Sequence, residues 1–257
     1  MGGGKAWRVT GTLTIVLVML GVGLQTWSVV AQQRTSTSWP YDIAVHQVRL
    51  ETGSAQVRVH PGREGHVVIH QRLDWMVRKP VVSTTFADGV LTVGMHCRRV
   101  LPFADFGCGA EIELEVPAET EVTGSVGSGS VFVEGLSGGV RMELTSGELL
   151  LVDTSGEVYA RATSGLVQGN NLSAQKVDAR TTSGSVELTF TNAPHEVDAR
   201  AVSGSVNMVV PKNSRYVFST DIGSGSGQID PVLKDSNSPN SVHAQVASGS
   251  VTISPAQ

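Results

Sequence analysis

The sequence predicts an all-β fold, a β-solenoid of Ser-Gly-cornered repeats, preceded by a single N-terminal transmembrane helix. Three observations carry this. Ser-Gly pairs start at Ser128, Ser137, Ser146, Ser155 and Ser164, each nine residues after the last, and a fixed period marks repeat architecture. After most pairs comes one residue and then an alternating apolar pair: Val131 and Val133, Val140 and Met142, Leu149 and Leu151, Val186 and Leu188, Val206 and Met208, Val251 and Ile253. Alternation with period two means a strand with one buried face, and Gly beside a small polar residue is turn chemistry. Over this beat lies a longer one. Val158-Tyr-Ala-Arg-Ala-Thr-Ser-Gly165 recurs as Val177-Asp-Ala-Arg-Thr-Thr-Ser-Gly184, as Val197-Asp-Ala-Arg-Ala-Val-Ser-Gly204, and loosely as Val242-His-Ala-Gln-Val-Ala-Ser-Gly249. Two short units therefore make one coil, and a coil buries its apolar face only by stacking on its neighbours.

Taken in order, the chain opens with Lys5 and Arg8 in a short cytoplasmic stretch, residues 1–8. The apolar run 9–31 follows, long enough to span a bilayer. It reads as a retained anchor; the alternative is a secretory signal cleaved after Val29-Val30-Ala31. Positive charge before the run holds the N-terminus in the cytoplasm. Residues 32–257 are then extracytoplasmic, on the cell membrane or, after cleavage, secreted. Residues 32–40 read as a polar linker. Residues 41–117 read as an N-terminal β subdomain. Thr52-Gly53-Ser54 with Val57 and Val59 is an early copy of the turn-and-strand unit, Asp88-Gly89 is a hairpin turn, and 98–109 is an irregular loop between the cysteines. Residues 118–257 are the solenoid repeats.

Composition supports thin coils: aromatics are 5% and glycines number 29 among 257 residues. Residues 117–257 carry eight basic and fourteen acidic side chains. Such a balance argues against nucleic acid, which needs Lys and Arg to neutralise phosphates.

Cys97 and Cys108 are the two cysteines. An even number in an exported domain favours a disulfide. The alternative is a metal pair with His96, but zinc wants four ligands and they are not evident. The nine-residue beat invites a calcium-binding solenoid, yet no carboxylate column runs through the corners. Gly135-Leu-Ser137-Gly-Gly139 matches the nucleophile-elbow pattern without the strand–turn–helix it requires. His46, His60, His66, His70 and His96 show no recurring ligand spacing and read as surface residues. No catalytic residue, metal or cofactor is expected.

Arg161, Arg180 and Arg200 occupy one column of the long repeat and predict a ladder on an outer face. The ladder could face an anionic ligand such as a cell-wall polymer. Asp178 and Asp198, two residues before the last two arginines and on the same face, could equally absorb the charge.

In this order, a basic N-terminus, one membrane segment, a Thr/Ser-rich juncture, Trp75 to Pro80, a cysteine pair before Val116-Pro117, and Val-x-Ala-Arg-x-x-Ser-Gly units resemble the bacterial putative-adhesin family in its actinobacterial form. That is a family of repetitive β-solenoids with a domain of unknown function. The resemblance implies an exported β-helix-like domain without known catalysis. The chain is thus expected to be a non-catalytic cell-envelope protein, an adhesin or a surface interaction and scaffold module. Its expected partners are the membrane and a cell-wall polymer or envelope protein. An envelope-stress component binding a membrane partner is the alternative, and a polysaccharide-acting enzyme ranks last, because the repeats offer no clustered acid–base site.

Overall fold

The computed structural model describes residues 33–75, 79–97 and 108–256. The helix expected over 9–31 and the loop 98–107 lie outside these residues. Among the described residues no helix is long and apolar enough to cross a membrane.

In chain order the strands are β1 (Gln33–Tyr41), β2 (Gln47–Thr52), β3 (Ala55–Pro61), β4 (Val67–Trp75), β5 (Val81–Ala87), β6 (Val90–His96), β7 (Cys108–Val116), β8 (Glu121–Glu134), β9 (Val140–Val152), β10 (Val158–Leu172), β11 (Lys176–Phe190), β12 (Glu196–Val210), β13 (Val217–Ile229) and β14 (Ser241–Pro255). All belong to one sheet wound on itself as a solenoid. The long strands from β8 to β12 stack parallel, each one coil. Val158 lies on Val140 and on Val177, and Ser164 lies on Ser146 and on Ser183. One coil is thus 18 to 20 residues long, two of the short units, as the repeat predicts.

Each long strand runs through its Ser-Gly pair, and there the in–out alternation slips by one residue. In β11, Val177, Ala179 and Thr181 are buried before the pair, and Val186, Leu188 and Phe190 after it. The chain turns a corner while both arms keep an apolar inner face. The second Ser of each 18-residue unit marks the other corner, the return to the next coil: the Ser155 amide donates to the Leu136 carbonyl, and the Ser173 amide to the Thr154 carbonyl.

The first corner must be glycine. At Gly184 φ is 133°, and an added Cβ would sit 1.9 Å from the carbonyl oxygen of Gly165 in the coil below. The same approach repeats up the column, at 1.7 Å for Gly204 and again for Gly249. Backbone packs on backbone there, with no room for any side chain.

Three features go beyond the sequence reading. Residues 33–40, within the expected linker 32–40, form β1 together with Tyr41, antiparallel to β4 from Gln33–Trp75 to Tyr41–Val67. The polar run Thr35-Ser36-Thr37-Ser38 suits an edge strand with little of either face buried, and β4 offers it an open edge. Second, the boundary at 117/118 does not divide two cores. β2 and β3 together form one coil directly on β8, with Val48 on Val122 and Val57 on Val131. β6 and β7 form the next coil outward, on β2 and β3. One hydrophobic cluster runs from Val45 to Ile253. The Cys97–Cys108 disulfide, with Cα atoms 6.1 Å apart, ties the corner of the β6–β7 coil, where other coils have two residues. Third, the C-terminal stack is out of chain order: β14 lies between β12 and β13. The wider spacing of the last Ser-Gly pairs reflects residues 211–240, which pass to the far side, form β13 and a short 3₁₀ turn, Pro231–Leu233, and return.

At that end Tyr216 is fully buried, stacked 5.9 Å from Phe218. Among the described residues its hydroxyl has no hydrogen-bond partner within bonding geometry, and the Ser214 hydroxyl beside it donates to the Pro211 carbonyl. Burial pushes the phenol above its usual value, and Ser214 offsets part of the shift.

Gly184→Ala is expected to lower chemical-denaturation stability by roughly 3 kcal/mol or more, through clash and strain. Ser185→Ala, next to it, should stay within about 0.5 kcal/mol; equal effects would contradict the close backbone approach. Reducing Cys97–Cys108 removes at most about 3 kcal/mol of loop-closure stabilisation. It should loosen the β6–β7 coil while far-ultraviolet dichroism keeps its strand signal, because stability in stacked coils is local. Tyr216 supports the fold while neutral: that contribution is whole below the unfolded value near 10 and is lost as pH rises through the higher folded value. Tyr216→Phe should therefore melt no lower at neutral pH and flatten the decline in Tm above pH 10. A steeper alkaline decline in the variant would contradict this.

Candidate functional site

The Val-x-Ala-Arg segment is the first arm of its coil, and residues at even steps from its Arg face solvent while those at odd steps are buried. Parallel, in-register stacking turns each repeat position into a column. One column runs Glu143, Arg161, Arg180, Arg200, Gln245 from β9 to β14. The column two residues earlier runs Arg141, Tyr159, Asp178, Asp198, His243. Two residues later Thr145, Thr163 and Thr182 stand exposed on successive coils, followed by Val202 and Ala247. The column of Arg161 and the column of Thr163 together border an open groove of about 620 Å³, floored by Leu144, Ala162, Thr181 and Ala201.

The predicted ladder of Arg161, Arg180 and Arg200 is present, but its three members differ in state. Arg180 Nε donates to Asp178 Oδ1 at 2.6 Å, and its Nη2 to Asp178 Oδ2 at 2.8 Å and Asp198 Oδ2 at 3.1 Å. Arg200 Nε and Nη2 each donate to Asp198 at 2.7 Å. These bidentate bonds hold the Arg200 guanidinium above its ordinary pKa. His243 Nδ1 lies 3.6 Å from the same carboxylate. Arg161 has no carboxylate within ion-pair distance among the described residues. It lies over the Tyr159 ring at 4.8 Å, with Arg141 at 4.7 Å from the same ring. One repeat thus reads Tyr where its two successors read Asp, and that exchange leaves Arg161 uncompensated. Ion pairing thus occupies Arg180 and Arg200, and Arg161 is the rung without an ion pair among the described residues.

Glu143 is the one carboxylate lining the groove among the described residues, and Asp178 and Asp198 are occupied by guanidinium. What the groove presents is binding chemistry: Thr hydroxyls, the Nη1 edges of Arg180 and Arg200 pointing away from their aspartates, and apolar Val202.

Other singled-out residues lie elsewhere. Ser137 of the elbow-like motif sits in a return corner, its hydroxyl donating to the Ala118 carbonyl at 3.2 Å. His60 meets Glu113 at 3.2 Å, His70 meets Glu115 at 3.3 Å and His66 meets Asp42 at 2.6 Å. These are separate pairs, and among the described residues no three His, Cys, Asp or Glu converge as metal ligands. Sequence reasoning missed the role of Tyr159 and of the Thr column. The sequence signal for Tyr159 was its departure from Asp178 and Asp198, and for the Thr column its recurrence just before the Ser-Gly pair.

Compared with known proteins, residues 42–256 match the family model described as Toastrack DUF4097. No curated protein matches the chain. Among solved structures, the chain is similar to a putative adhesin from Parabacteroides distasonis at 17% identity and TM-score 0.54, covering 87% of this chain and 97% of that one. A putative adhesin from Bacteroides fragilis matches at 13% identity and TM-score 0.44, over 86% of this chain and 97% of that one. A putative cell adhesion protein from Clostridium sporogenes matches at 11% identity and TM-score 0.43, over 87% and 100%. At these identities the likeness concerns the fold, and the first neighbour carries it.

Proposed function

The chain belongs to the Toastrack DUF4097 family, and on that premise we propose that it is a non-catalytic interaction module of the bacterial cell envelope, tethered by residues 9–31 with the solenoid on the extracytoplasmic side. Its groove on the first-arm face binds an extended, hydroxyl-rich wall polymer bearing sparse anionic groups. The observation that carries this reading is the column Arg161, Arg180, Arg200 beside Thr145, Thr163 and Thr182. Stacked coils repeat every ~4.8 Å, so equal groups recur along a straight line and suit a ligand that is itself repetitive. Because two of the three guanidinium charges are already met by aspartate, a densely charged polyanion gains little there. A mostly neutral glycan with an occasional carboxylate or phosphate can hydrogen-bond along the Thr column and place its anion at Arg161. The adhesin names given to proteins of like fold agree with such a role.

The test is co-sedimentation of the detergent-solubilised full chain with isolated cell-wall material of its host. Arg161→Ala should weaken binding roughly tenfold, the worth of one charge-assisted contact. Arg215→Ala, remote from the groove, should not. Release of cleaved or unsaturated sugar would overturn the non-catalytic reading, and equal binding by all three proteins would remove the groove from it.

A further inference from the structure

The stack ends at β13, and this end is open. β13 pairs with β14 along one edge, and along Val217–Ile229 its other edge has no strand partner among the described residues; just before it, Tyr216 bridges Lys234. Its inner positions are poorly covered. Thr220 and Gly227 are exposed, whereas Ala244 and Val251, in the same columns one coil below, are buried. Phe218, Ile222 and Ile229 pack on the core but are only partly buried. Edge strands of this kind are ordinarily blunted by Lys, Pro, a bulge or a covering helix. β13 has thirteen residues, no Pro or Lys, three glycines, and Asp221 as its single charge.

We infer that the β13 edge is an interface at which two copies of this chain pair antiparallel about a two-fold axis, continuing the sheet and closing both cores. Four observations commit it to a second copy. From β8 to β14 the coils stack corner on corner, Ser over Ser and Gly over Gly. An antiparallel partner keeps corner on corner when Ser224 faces the other copy's Gly225, and this fixes all other pairs. In that register Ile222 faces Gly227 across the interface, large against small, and Thr220 faces Ile229, with all four on the inner side. The inner space at Gly227 is already one that Ile222 leans into, since an added Cβ there would lie 2.3 Å from the Ile222 Cδ1.

On the outer side Asp221 faces Gln228, and Ser219 faces Asp230. Each acid meets a neutral hydrogen-bond donor, and no like charges oppose. Carried one step further, the axis brings Val217 towards Val232, 40% and 49% exposed, both large apolar side chains left bare at this pole. A two-fold requires each of these pairs to occur twice, as isologous interfaces do. β1, the other end strand of the stacking order, runs antiparallel to its neighbour, so head-to-tail addition would not continue the parallel register.

The experiment is sedimentation of the detergent-solubilised full chain over a dilution series, with variants at two exposed positions that leave the core alone. Wild type should show a monomer–dimer equilibrium. Gln228→Asp places like charges opposite Asp221 twice and should raise the dimer Kd roughly five- to thirtyfold. Gln228→Lys should lower it by a similar factor. The double variant Asp221→Lys with Gln228→Asp restores opposite charges at both pairs and should bring the Kd back down, below the wild-type value, as Gln228→Lys does. Unchanged Tm would show that all the variants fold. A monomer at every concentration overturns the inference. So does a dimer indifferent to these charges, as one made through residues 1–32 would be, and so does open-ended assembly.

Discussion

The close approach of backbone at the Ser-Gly corners governs the rest of the molecule. Where a Cβ of Gly204 would stand, the Gly184 carbonyl oxygen is 1.7 Å away, and Gly184 has the same relation to Gly165 at 1.9 Å. A column of this kind admits one register only. A slip by one residue would bring a serine Cβ into that space and turn each apolar face outward. The apolar columns follow from it: Val177 on Val158 and Val197, Ala179 on Ala160 and Ala199, Val186 on Val167 and Val206. The core is thin, and the space between two arms joined by so tight a corner is filled mostly by Val, Ala, Leu and Met. That is why aromatic side chains are scarce.

Register also explains how distant parts of the chain join the stack. Gly53 supplies a corner for the β2–β3 coil, its carbonyl accepting from the Ser128 amide at 2.6 Å. Where no Ser-Gly pair is present, in the β6–β7 coil, the disulfide holds the two arms together instead. The solenoid therefore grows by adding any segment that offers two alternating arms and a way round the corner, whatever its place in sequence. β14 entering between β12 and β13 is an instance: its Val242-His-Ala-Gln-Val-Ala-Ser-Gly249 fits the β12 repeat better than Phe218-Ser-Thr-Asp-Ile-Gly-Ser-Gly225 does. The better match takes the inner position and leaves the glycine-rich strand at the end.

What could be read from sequence follows the same division. Coil length, inward columns, both corner columns and the Arg ladder were legible because each repeats, and repetition converts a sequence period directly into a spatial one. The Cys97–Cys108 bond was legible from number and compartment. The coil built by β2 and β3 was only half legible, as its Thr52-Gly53-Ser54 corner has no second copy at fixed spacing. β1 was not legible: Thr35-Ser36-Thr37-Ser38 has no apolar alternation, since neither face meets much core, and its partner β4 is distant in sequence. Nor does a strand order that departs from chain order leave a trace in periodicity. In the groove, the ladder's position followed from the repeat, but the charge each rung retains depended on individual neighbours at 2.6 to 3.1 Å.

Parallel in-register stacking sets like on like, and for charged residues that is a cost each coil must meet. Arg180 sits beside Arg200 and Asp178 beside Asp198, and two columns of opposite sign offset by two residues satisfy both at once. Asp198 accepts from the arginine of its own coil and from that of the coil below. A uniform solenoid of such repeats would present an electrically quiet face. Departures from the repeat are what give the face a character. Tyr159 in the aspartate column removes the carboxylate from one rung and leaves Arg161 over an aromatic ring, a contact that supports the cation without neutralising it. On β14 the pair becomes His243 and Gln245, which ends the ladder without leaving a charge unmatched. The regular part of this chain builds the surface, and the exceptions to its regularity decide what the surface can hold.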